Sequence, residues 1–240
     1  EDVTGEELYE TISIVIDKLN SLVDDVIIVQ DKGSLRPYSH DETVKLCIEA
    51  YEKLSDEYGF IQKLNAPVKE IMLSSIMTYT HISGVYTFFT GEANLNTNYP
   101  YFVNVYTTAH EMAHQRGVAR ENEANFIAYL VCINSDDPYM QYSGYINMYE
   151  YLISPLYKAS PTLYAKAVRA LDLRVRYDLN CYSVFFDKYR ESKAADVSDA
   201  VNNGYLKSQG TVEGSRSYGM VVDLAVAYYR PTFTETETAE

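Results

Sequence analysis

Two of the chain's four histidines stand four residues apart, in the run HEMAH from His110 to His114, with Glu111 beside the first. On a helix, residues i and i+4 project from one face, so both imidazoles point the same way. Neutral imidazole is a good zinc ligand, and a neighbouring carboxylate can take a proton from water that the metal acidifies to a pKa of about 7. The H-E-x-x-H spacing therefore predicts one Zn2+ per chain on His110 and His114, with Glu111 as the general base of a hydrolytic reaction. The competing reading is an ordinary helix whose two histidines are satisfied by hydrogen bonds.

Catalytic zinc takes three protein ligands and keeps one position open. In the longer pattern H-E-x-x-H-x-x-G-x-x-H the third ligand falls on Arg120, which cannot ligate, although Gly117 stands where that pattern has its glycine. The remaining source is a glutamate from a following helix, either Glu121 or Glu123. Gly117 can end the zinc helix and turn the chain back toward the metal.

HEMAH followed by ENEANFIA resembles the glutamate-type zincins, the broad group of thermolysin, the prenyl-protein endopeptidases and their relatives. Those families place a glutamate ligand one helical turn before an Asp or Asn that braces a zinc histidine, and Glu121 and Asn125 share that i, i+4 relation. FFTGEANLN, AHEMAHQRGVARENEANFIAYL, YSGY, YLKSQG and GSRSYG extend the likeness over residues 72–229. Over that span the chain resembles a bacterial membrane-anchored family catalogued as a domain of unknown function. The resemblance implies a zincin-like metallopeptidase fold and a peptide or protein substrate. It also implies a parent protein anchored by hydrophobic helices outside this chain, with this part on the extracytoplasmic face of a bacterial membrane. Glu121 and Glu123 lie about 200° apart around a helix, so only one can face the zinc. The Glu121 face carries Asn125 within reach of a histidine's second nitrogen, a contact that fixes ring orientation. The Glu123 face continues to Ile127 and turns Glu123 toward solvent, Arg116 or Arg120. Glu121 is accordingly the expected third ligand and Asn125 its hydrogen-bonding neighbour.

Cleaving an amide also calls for a donor to the developing oxyanion. Tyr218, in SRSYG after a Gly-rich loop, is the first candidate and His81 the second; a packed or capping side chain is the plain alternative for each. The run GVYTFFTGEANLN, residues 84–96, is rich in β-branched and aromatic residues and reads as strand and turn. As an edge strand beside the zinc cleft it could receive an extended peptide through main-chain hydrogen bonds. Glu92, Asn94 and Asn96 then either contact substrate or simply turn the chain.

The elements that must hold these groups are mostly helical. Helical spacing is expected over 6–29, whose β-branched end could run on extended, over 41–58, and from Pro67 onward. Further helices are expected over 106–116, 121–134, 138–158, 161–176, 178–191 and 194–207. With one small sheet, this is an α+β, mainly helical chain. It reads as a single domain over 1–230, with an N-terminal helical part (1–65), a catalytic core (66–230) and a disordered tail (231–240).

Composition narrows the function classes. A hydrophobic content of 47% supports a sizeable core and excludes global disorder. A formal charge of −14 repels phosphate backbones, so nucleic acid is excluded as a partner. The three cysteines are too few and scattered for a disulfide framework or a cysteine-built metal site. No apolar run approaches the roughly 18–20 residues that span a bilayer. Two functions fit: a zinc peptidase or amide hydrolase, and a catalytically weak metal-binding envelope ectodomain that recognises protein partners. Glu111 favours the first, because a purely structural zinc site needs no base.

Overall fold

A computed structural model describes residues 3–192, 194 and 217–237. Helix α1, Gly5–Leu22, opens with a reciprocal cap between Thr4 and Glu7, which satisfies two amide donors that the first turn leaves unpaired. Its stripe of Leu8, Ile12, Val15, Ile16 and Leu19 is buried against the long central helix α6, Pro138–Ala159. The helix ends before the expected position 29. After a 3-10 turn at Val23–Asp25 the β-branched run goes extended as β1, Ile28–Val29, paired antiparallel with β2, Gly33–Ser34. Helix α2, His40–Glu57, carries the same reciprocal cap through Ser39 and Glu42.

The helix expected from Pro67 does not form there. Pro67 instead precedes a strand, β3 (Val68–Glu70), where its missing N–H costs little, and the helical turns that follow are short: the four-residue α3, Ser74–Met77, and a 3-10 turn at Thr78–Thr80. Residues 84–96 fold as the expected strand and turn, resolved into a hairpin of β4, Gly84–Thr87, and β5, Glu92–Leu95. Strand β3 pairs parallel with β5, giving the order β3-β5-β4 and leaving β4 at the edge.

This sheet packs on one side of α4, Tyr101–Gln115, while α5, Glu121–Ile133, and α6 cover the other. The expected helix over 161–176 breaks at Leu171, where Asp172 caps a new start; the pair observed is α7, Pro161–Ala170, and α8, Leu173–Asp187. Helix α9, Ser217–Glu237, packs on α5 and α1, and Tyr229 bonds the hydroxyl of Tyr129 on α5. Residues 231–237, expected in a disordered tail, are thus helical. The helix expected over 194–207 lies, beyond Ala194, outside the described residues. The architecture is α+β and mainly helical.

Where α5 crosses α6, a Cβ on Gly144 would stand 2.7 Å from Cys132 Cβ and 3.2 Å from Ile133 Cγ2. Gly144→Ala gains about 1 kcal/mol of helix propensity but overpacks this crossing by about 2–3 kcal/mol. The expected net loss, about 1–2 kcal/mol by the same reckoning, is read from the urea midpoint. An unchanged midpoint would show that the two helices part at a cost no larger than the propensity gained, about 1 kcal/mol.

Candidate metal centre

The HEMAH run occupies the last turns of α4, a helix buried along most of its length. Asn104 anchors its start by donating to the carbonyls of Thr97 (3.2 Å) and Tyr99 (2.9 Å). The far end closes on Gly117 at φ +89°, a left-handed conformation that glycine adopts without a Cβ penalty. The Gly117 amide donates to the His114 carbonyl and the Val118 amide to the Ala113 carbonyl, at 3.0 and 3.2 Å. These are the paired bonds of a glycine-terminated helix end. Arg116 secures the same end: its guanidinium lies 3.8 Å over the Tyr51 ring and donates to the carbonyls of Gln62, Leu64 and Met112. The reversal carries α5 back, so that Glu121, its first residue, returns to the histidines.

His110 Nε2 and His114 Nε2 are 3.0 Å apart. Glu121 offers Oε2 at 3.2 Å from His110 Nε2 and Oε1 at 3.5 Å from His114 Nε2. Two imidazole nitrogens and a carboxylate converging on one point form a donor set suited to a cation. Tetrahedral zinc with ligands at about 2.0–2.1 Å sets them about 3.3–3.4 Å from one another, so the spacing fits. His114 Nδ1 stands 2.7 Å from the Val118 carbonyl. That bond puts the proton on Nδ1 and aims the Nε2 lone pair at the cluster. Burial raises the Glu121 pKa, but the two imidazoles outweigh it and hold this carboxyl well below its usual range. Burial also opposes the charged form of His114, and the Glu121 carboxylate more than reverses that, leaving its pKa raised.

Glu111 has a different environment. It is 4% exposed, and its Oε2 meets no hydrogen-bond donor among the described residues. Burial raises its pKa. A carboxylate buried without a donor is costly to the fold. Such a group beside a metal-ligand cluster is suited to accept a proton.

The other expected site residues are placed differently. Glu123 pairs with Arg120 at 3.3 Å, away from the histidines. Asn125 does not brace a zinc histidine: Val118 holds His114 Nδ1, and His110 Nδ1 is buried with no hydrogen-bond partner among the described residues. Asn125 contributes its backbone carbonyl, which accepts from the Tyr106 hydroxyl at 2.6 Å. Glu92, Asn94 and Asn96 belong to β5 and its exit, but β5 is the central strand, and the edges that a peptide could join are β3 and β4, of which β4 borders the histidines. Glu92 pairs with Lys69 of β3, and Asn94 lies within the sheet beside the Val85 carbonyl. Asn96 is fully buried and donates to Thr78 Oγ1 and the Ile82 carbonyl. His81 Nε2 is 2.6 Å from the Tyr189 carbonyl, and its ring lies against Phe186. The Tyr218 backbone lies in the first turn of α9, and its side chain lies outside the described residues.

Sequence reasoning missed the contributions of Val118, Tyr86 and Gly84. Tyr86 of β4 stacks on the His114 ring, with centroids 5.9 Å apart and planes 20° from parallel. The carbonyl of Val118 carries no side-chain signature, and Gly84 and Tyr86 read only as strand residues.

The profile of a family described as a protein of unknown function, DUF3810, matches residues 1–226. The chain belongs to this family. No curated protein and no solved structure matches it. The DUF3810 match spans α1 through α8 and the first half of α9, so the helices around the cluster fall within the family's extent.

Proposed function

We propose that this chain is a zinc-dependent peptidase, or a related amide hydrolase, of zincin-like fold. The observation that carries the reading is the convergence of His110 Nε2, His114 Nε2 and the Glu121 carboxylate, at 3.0–3.5 Å from one another, beside the buried carboxylate of Glu111. When bound, zinc supplies Lewis acidity, polarising a carbonyl and acidifying water. Glu111 takes the proton of the attacking water, holds it in a site where burial favours the neutral carboxyl, and returns it to the leaving amine. Val118 fixes the His114 tautomer, and Tyr86 restricts its ring. Edge strand β4, beside α4, offers main-chain groups to an extended peptide. The resemblance of HEMAH and ENEAN to glutamate-type zincins supports the same reading, and the likeness to a membrane-anchored bacterial family supports a substrate on the extracytoplasmic face.

The test is metal analysis followed by hydrolysis. Protein prepared without chelator is expected to carry about one zinc per chain and to lose it in His110→Ala or His114→Ala. A mixed peptide library should be cleaved by the parent, spared after chelation, and cleaved again on adding zinc. Protein that takes up no zinc from solution refutes the metal site. A zinc-loaded chain that cleaves no amide points instead to a metal-binding ectodomain.

A further inference from the structure

Strand β4 crosses α4 directly above the HEMAH run. Alternate residues of a strand share a face, and Gly84 and Tyr86 are the two that β4 turns toward α4. Tyr86 covers His114. At Gly84 a Cβ would lie 2.4 Å from Glu111 Oε1, 2.7 Å from Glu111 Cγ and 2.7 Å from Thr107 Cγ2. The backbone does not explain this glycine. Gly84 is absent from the positive-φ residues, which are Asp31, Gly33, His81, Gly91 and Gly117. It pairs regularly with Leu95 in the ladder. A residue with a side chain could adopt the conformation; what is lacking is room.

The missing room is taken up by the Glu111 side chain, whose carboxylate comes nearest, and by the Thr107 methyl. We infer that Gly84 is a positioning residue for Glu111: by having no side chain, it leaves the space in which that carboxylate sits beside the metal ligands. A methyl group there forces one of two changes. Either Glu111 swings away from the cluster, starting at Cγ, or β4 lifts off α4. The first misplaces the proton acceptor, and the second opens the wall against which it is buried. The three atoms nearest a Cβ on Gly84 belong to Glu111 and Thr107, not to His110, His114 or Glu121, so metal affinity should survive. This role rests on the reading of Glu111 as proton acceptor, and the experiment separates the two.

The full chain is loaded with cobalt(II), whose visible absorption reports the metal's surroundings, as parent, Gly84→Ala, Glu111→Gln and the double variant. Gly84→Ala is expected to bind cobalt within about threefold of the parent, since it removes no ligand. Its spectrum should shift in the same direction as that of Glu111→Gln. On a peptide that the parent cleaves, kcat should fall about 10²-fold with KM little changed, the size expected for a misplaced catalytic group. Adding Gly84→Ala to Glu111→Gln should cost nothing further in kcat, because the base is already gone. A parental spectrum with parental kcat in Gly84→Ala overturns the inference, as does full additivity in the double variant. Should Gly84→Ala lower the melting temperature too far for loading, stability decides instead. In a Thr107→Ser background, which removes the competing methyl, Glu111→Ala must restore the temperature lost to Gly84→Ala. Failure of that rescue refutes the inference. If the parent cleaves nothing, the hydrolase reading fails, while the spectra and the rescue still decide whether Gly84 places Glu111.

Discussion

Glu121→Ala is expected to lower zinc affinity by on the order of 10³-fold, since one of three ligands carries several of the roughly 10–16 kcal/mol that zinc sites reach. Glu123→Ala, two residues on, should leave affinity nearly unchanged. Both residues lie in the first turn of α5, so a loss through helix capping or the helix dipole would appear in both variants. The difference comes from direction: Glu121 reaches both imidazoles, and Glu123 reaches Arg120. Asn125→Ala should also have little effect, because the Val118 carbonyl, and not this amide, holds His114 Nδ1. Chelator competition on the three proteins gives the order. Zinc binding weakened equally by Glu121→Ala and Glu123→Ala would mean that α5 acts only as a charged helix start. A large loss in Asn125→Ala would mean that its side chain turns to His110, whose Nδ1 has no other partner among the described residues, once metal is bound.

What the sequence made legible was local. The i, i+4 pair at His110 and His114, the failure of Arg120 as a ligand and the opposed directions of Glu121 and Glu123 all follow from helix geometry within twenty residues. Gly117 could be assigned as the turn because a glycine after a helical run has one common use. The missed features depend on long-range placement. Pro67 has the local marks of a helix start, but the segment after it pairs with β5, some 25 residues on, and tertiary pairing overrides a weak local preference. Asn96 looked available to a substrate because nothing nearby in sequence claims it; its partners are Thr78 and Ile82. Asn125 fitted the family pattern, but a main-chain carbonyl, invisible in any pattern of side chains, already occupied the position expected of it at His114. Gly84 could not be read as a site residue without knowing that β4 crosses above Glu111.

Glu111→Gln should abolish most hydrolysis while leaving the metal in place. The substitution preserves shape and removes the capacity to take a proton, so the expected loss in kcat is about 10²–10⁴-fold, the range of general-base contributions. Zinc affinity should stay within about threefold, because the ligand cluster consists of His110, His114 and Glu121. Stability supplies an independent sign. In the parent, a carboxylate 4% exposed with an unpartnered oxygen opposes folding, and its raised pKa records that cost. Replacing it with a neutral amide relieves the desolvation of a charge, so the metal-free variant should melt no lower than the parent. Loss of activity without loss of stability marks a group kept for chemistry at some expense to the fold. Three measurements on one pair of proteins check this: zinc content, melting temperature, and cleavage of a peptide that the parent hydrolyses. A Gln variant that cleaves as fast as the parent would remove Glu111 from the mechanism and leave its burial unexplained. A variant that melts well below the parent would assign the carboxylate to the fold, with a donor found in solution that its present neighbours do not offer.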